Sequence, residues 1–77
     1  VVFELPDGSG PVEVKLAVYD LRGRRVTTLL SGERGEGIYS LQWDGRDSSG
    51  RRVASGVYFL RLTAGEVTHV RKIVLLK

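Results

Sequence analysis

Two pairs of carboxylates, one histidine and a set of arginines are the side chains of this chain that could do chemistry. Glu33 and Glu36 lie three apart in Gly32-Glu33-Arg34-Gly35-Glu36-Gly37. Paired carboxylates can cleave a glycosidic bond, but only where burial drives their pKa values apart. This stretch is short and glycine-rich, and it reads as an exposed loop that cannot supply that burial. Asp44 and Asp47, with Ser48 and Ser49, could offer oxygens to calcium. Their spacing departs from the EF-hand pattern, Arg46 intervenes, and no Glu follows to close a shell. Asp44 and Asp47 are the nearest approach to a metal site, and a turn is the expectation. A Ser–His–Asp machine would have to use His69, the single histidine. It stands mid-strand in the pattern between Thr68 and Val70, with no nucleophile turn beside it. There is no cysteine, which excludes disulfides and thiolate zinc sites. The glycines of 32–37 lack the following Lys-Ser/Thr of a phosphate loop. The residues therefore point to no catalytic site and no cofactor: the expectation is a protein that is not an enzyme.

Twelve basic residues against nine acids give a net charge of +3. Arg22, Arg24, Arg25, Arg51, Arg52, Arg71 and Lys72 stand mostly beside turns. A nucleic-acid partner would call for aromatic stacking platforms among such charges, and none is evident. Solvated turn ends and protected strand edges are the reading, with no nucleic acid bound. Tyr39, Trp43 and Tyr58 could form a sugar-binding platform, but their alternation turns them inward as core.

These residues must be held by strands. Val12-Glu13-Val14-Lys15-Leu16-Ala17-Val18-Tyr19 alternates with period two, placing Val12, Val14, Leu16 and Val18 inward. Tyr39, Leu41 and Trp43 alternate likewise, as do Tyr58, Leu60 and Leu62. In 24–31 the adjacent Leu29 and Leu30 break the rhythm, which a β-bulge would restore. The last run, 67–76, ends apolar on both faces. Turn signals fall at Leu5-Pro6-Asp7-Gly8, Asp20–Gly23, Gly32–Gly37, Asp44–Gly50, Ala54–Gly56 and Ala64-Gly65. Asp20–Gly23 and Asp47–Gly50 share Asp first and Gly fourth, as type I turns prefer. No internal repeat, linker or low-complexity tract is read. About seven short strands are predicted, near residues 1–5, 12–20, 24–31, 37–43, 52–54, 57–64 and 66–76. That pattern specifies an all-β, immunoglobulin-like antiparallel sandwich. With 77 residues, one domain over 1–77 is expected.

Three stretches carry a resemblance: Val18-Tyr19-Asp20-Leu21-Arg22-Gly23-Arg24-Arg25-Val26; Trp43–Phe59, with its Trp-Asp-Gly…Ser-Gly-Val-Tyr; and Arg71-Lys72-Ile73-Val74-Leu75-Leu76-Lys77. The series resembles the immunoglobulin-like C-terminal domains of exported bacterial proteins. Those domains are related to that of the flagellar hook-capping protein and to the type A sorting domains of the type IX (Por) secretion system. The resemblance implies a non-catalytic C-terminal module carried behind some cargo, secreted or on the cell surface by way of the periplasm. The basic-apolar ending resembles the sorting branch, in which Arg71, Lys72, Ile73, Val74, Leu75, Leu76 and Lys77 would meet the export machinery. The alternative from the hook-cap branch is a structural or adhesive spacer that docks against a neighbouring domain of the same polypeptide. A carbohydrate-binding module stands third. No run is long enough to cross a membrane as an apolar helix, and a monomer is expected for the isolated domain. The opening strand of the family usually starts one or two residues before the point where Val1 stands. With no methionine at position 1, the chain is expected to be a piece of a longer protein.

Overall fold

The computed structural model describes residues 1–5 and 10–76. The turn expected at Pro6-Asp7-Gly8 and the terminal Lys77 lie outside that set. Among the described residues, six strands make two antiparallel sheets: β1 (Val2–Leu5), β2 (Val12–Tyr19), β3 (Arg25–Arg34), β4 (Gly37–Ser40), β5 (Gly56–Ala64) and β6 (Val67–Leu75). The larger sheet has the order β3-β2-β5-β6, and the smaller pairs β1 with β4. This is the expected all-β sandwich, with six strands in place of about seven. The run at 52–54 forms only an isolated bridge, Arg46 to Arg52.

The period-two rhythm of β2 and β5 builds the centre. Val14, Leu16 and Val18 are almost wholly buried, and Tyr58 and Leu60 join them. Phe3, Leu41, Trp43, Val53, Ile73 and Leu75 pack around that nucleus. Trp43 meets the Tyr58 ring edge-on, with centroids 5.1 Å apart. Its indole Nε1 donates to the carbonyl of Arg46 at 2.9 Å, so the polar tip is satisfied while the ring packs inward. Tyr39 stacks on Phe3 at 5.2 Å at the edge of the core.

The bulge expected at Leu29 and Leu30 is present. Leu16 pairs with Leu30 and Ala17 with Thr28, leaving Leu29 as the extra residue. A second register shift, at Val26, was not foreseen. The first lets the adjacent Leu29 and Leu30 both pack on the core, and Val26, the extra residue of the second, packs there too. The loop expected over 32–37 is a correction: β3 runs on to Arg34 and sets Glu33 directly across from Glu13. The fourth strand ends at Ser40, Leu41 still bonds to Val1 across the ladder, and Leu41 and Trp43 pack on the core.

Candidate functional site

The most ordered polar geometry lies at one end of the sandwich, in two turns of the same design. In the first, Gly23 N–H donates to Asp20 O at 3.0 Å, and Asp20 N–H donates to Arg24 O at 2.9 Å. The Asp20 Oδ1 accepts from the amides of Arg22 and Arg24 at 2.9 and 3.0 Å. Its Oδ2 accepts from Arg24 Nε at 3.2 Å. In the second, Gly50 N–H donates to Asp47 O at 3.0 Å, and Asp47 N–H donates to Arg51 O at 2.8 Å. Asp47 Oδ1 accepts from Ser49 N–H, Ser49 Oγ and Arg51 N–H, at 3.0, 2.7 and 3.0 Å. Gly23 and Gly50 close the turns at φ 81° and 88°, a region where a Cβ is strained. Each is a three-residue loop ending in a left-handed glycine. The amide of Arg24, ahead of the other donors, holds the Asp20 carboxyl below the usual carboxylate range. The Ser49 hydroxyl, followed by the Arg51 amide, does the same for Asp47. Both favour the ionised form because the donors bind it directly.

The turns are joined. Ser48 N–H donates to Val26 O at 3.1 Å. Val26 and Val53, seventh in each unit, pack into the same core. Aligning the two units gives Asp20-Leu21-Arg22-Gly23-Arg24-Arg25-Val26 and Asp47-Ser48-Ser49-Gly50-Arg51-Arg52-Val53. The sequence therefore holds a short internal repeat, where none is expected from its turns alone. The signal was visible beyond the turn itself, in the shared Gly-Arg-Arg-Val.

The outer face of the larger sheet differs in character. Tyr19 stands opposite Phe59, Phe59 opposite Lys72, Val57 opposite Val74, and Arg61 opposite Val70. Phe59, Val57 and Tyr19 are half-buried and lie outside the core cluster. Val70 and Val74 are 63 % and 58 % exposed, and Leu21 is 70 % exposed beside them. Tyr19, Leu21, Phe59 and Val70 line a shallow hollow of about 270 Å³, with Arg61 on its rim. Asp20 lines it as well, and an exposed apolar patch with a polar rim is a usual signature of a contact surface.

The residues singled out from sequence are dispersed. Glu33 is on β3 and Glu36 lies beyond it, both on the end of the sandwich away from the twin turns. Asp44 Oδ1 accepts from Arg46 N–H at 3.1 Å, and its Oδ2 lies 3.6 Å from Arg46 Nε. With Asp47 committed to its own turn, the two carboxylates serve as loop acceptors. Among the described residues no group of three or more His, Asp or Glu could hold a metal ion. His69 is exposed on β6. Along the C-terminal run, Ile73 and Leu75 are half-buried against the core, whereas Arg71, Lys72, Val74 and Leu76 are exposed. The run thus ends apolar on both faces, as expected: Ile73 and Leu75 on the inner side, Val74 and Leu76 on the outer.

The sequence matches the family model described as the FlgD Ig-like domain over residues 2–67. The chain belongs to that family. The FlgD Ig-like match ends before the Arg71–Leu76 stretch that carried the sorting resemblance. Two curated relatives, each named "Basal-body rod modification protein FlgD", come from Salmonella typhimurium and Salmonella typhi. Each is 36 % identical over 52 residues, which is 68 % of this chain and 22 % of the relative. The chain thus spans about a fifth of the length of these relatives. No solved structure matches it.

Proposed function

We propose that the chain is a non-catalytic immunoglobulin-like structural module of an exported bacterial protein, spanning 1–77, that docks against a neighbouring domain of the same polypeptide. The observation that carries this reading is the apolar outer face of the larger sheet, Tyr19, Val57, Phe59, Val70 and Val74. These side chains lie outside the core cluster, and a contiguous exposed apolar patch on a sheet face marks a contact surface. The matching segment occupies only part of each FlgD relative, so in those proteins such a domain has neighbours to dock against. The test is Phe59→Glu in the whole polypeptide, read by limited proteolysis between domains. The reading expects faster interdomain cleavage with an unchanged melting temperature for this module. Unchanged cleavage would refute it.

A sorting role for the C-terminal run is the second reading, favoured by the exposure of Arg71, Lys72, Val74 and Leu76 on an edge strand. Deleting 73–77 would be a poor test, because Ile73 and Leu75 pack against the core. Val74→Asp with Leu76→Asp spares the core. In a fusion of 1–77 to a periplasmic reporter, the sorting role requires release of the reporter outside the cell and loss of release in the double variant. A reporter retained in the periplasm would eliminate that role.

A further inference from the structure

The two sheets are unequal, and the mismatch leaves one side of the sandwich open. Across β5 and β6, Tyr58 faces Ile73, Leu60 faces Arg71, and Leu62 faces His69. Tyr58 and Leu60 are core residues and Leu62 packs against them. His69 and Arg71 therefore occupy inward-facing positions, yet both are exposed. Two strands cannot cover the inner face of four. The uncovered strip is a slot of about 280 Å³ between β1 and β6. Val1–Glu4 form one wall and His69–Arg71 the other; Leu16, Leu60 and Leu62 form the floor.

One wall of this slot is a strand edge ready to pair. Val1 and Leu41 exchange both backbone hydrogen bonds, Val1 N to Leu41 O at 2.6 Å and Leu41 N to Val1 O at 2.8 Å. In an antiparallel ladder such pairs alternate with non-bonded ones. Phe3, opposite Tyr39, is the next bonded pair. The amides and carbonyls of Val2 and Glu4 consequently point away from β4, into the slot. A two-stranded sheet is marginal by itself, and a third strand is what ordinarily makes one secure.

We propose that this slot receives one extended strand from a partner polypeptide, which pairs with Val2 and Glu4 of β1. The occupant is a proline-free segment of about five or six residues, since it must span two outward-pointing positions roughly 7 Å apart and offer an amide at each. Its inward side chains are apolar where they meet Leu60 and Leu62. One is acidic where it meets His69 and Arg71, the two cation-capable side chains that line the opposite wall. This is recognition by strand addition, with the backbone giving affinity and alternate side chains giving specificity. It adjoins the Phe59 face at Val70, which lines both, but it faces the other way across β6 and stands whether or not that face docks. The competing account is that His69 and Arg71 are inward-pointing charges that merely protect an edge strand from aggregation.

A capped peptide with valine at alternate positions and one aspartate on the same face, titrated into the ¹⁵N-labelled chain, separates the two accounts. Strand addition predicts amide shifts concentrated at Val2, Glu4, Leu62 and His69. A chemically assembled chain N-methylated at Glu4 should lose at least tenfold in affinity while core amides such as Val18 keep their shifts. Arg71→Glu should weaken the aspartate peptide and favour a lysine peptide in its place. No shifts at millimolar peptide, equal binding of a scrambled peptide, or binding indifferent to N-methylation would each overturn the proposal and leave edge protection as the role of these residues.

Discussion

The twin-turn tip and the slot beside β1 are opposites in how they treat polar groups. At the tip, each aspartate carboxylate accepts three hydrogen bonds, and the Ser48 amide ties one turn to Val26 beside the other. In the slot, the outward backbone groups of Val2 and Glu4 and the side chains of His69 and Arg71 have no protein partner among the described residues. A saturated region of this kind holds shape and has little left to offer a ligand. An unsaturated one beside an apolar floor can do the reverse. The tip is therefore closed and the side beside β1 open.

The largest break in this comparison comes from the floor that core and slot share. Leu16→Ala should cost about 2–5 kcal/mol in urea unfolding, as deletion of a buried leucine generally does. Val2→Ser, on the wall of the slot, should stay within about 0.5 kcal/mol. Next, Gly23→Ala and Gly50→Ala should each cost about 1–2 kcal/mol for the left-handed backbone alone, because nothing lies within 4 Å of an added Cβ at either site. Equal stability in thermal melts would mean the turns are less fixed than described.

The aspartates sharpen the comparison through pH. Both have folded-state pKa values below their unfolded ones. Their contribution is complete above the unfolded value, near pH 4, and is lost as pH falls through the lower folded values. Asp20→Asn and Asp47→Asn should lower the melting temperature at pH 7 and narrow the gap from the parent chain below pH 4. A gap that widens in acid would contradict the assignment. The smallest effect expected is that of Arg71→Gln: a stability change within about 0.5 kcal/mol, since its side chain is exposed.

Much of the architecture was legible because it is local. The alternation over Val12–Tyr19 and Tyr58–Leu62 fixes which side chains face inward, and the Leu29-Leu30 doublet announces its own bulge. The Asp-x-x-Gly turns could be read from residue type alone. What escaped was set by pairing distant in sequence. Whether 52–54 is a strand depends on having a partner ladder, and Arg52 finds only Arg46. Glu33 enters a strand because Glu13 is there to pair with. The slot is invisible in sequence because it arises from a count of strands, two lying over four, and from β1 meeting β4 across some 35 intervening residues. The alternation already turned Tyr19 outward; what it could not show is that Phe59 lies directly across from it, a pairing set by the β2–β5 register.

Backbone amide hydrogen exchange tests the contrast between closed tip and open side most directly. The amides of Arg24 and Arg51, held by the Asp20 and Asp47 carboxylates, should be protected, while those of Val2 and Glu4 exchange at nearly the unprotected rate although Phe3 between them is slower. Uniform protection along Val2–Glu4, or rapid exchange at Arg24 and Arg51, would contradict it.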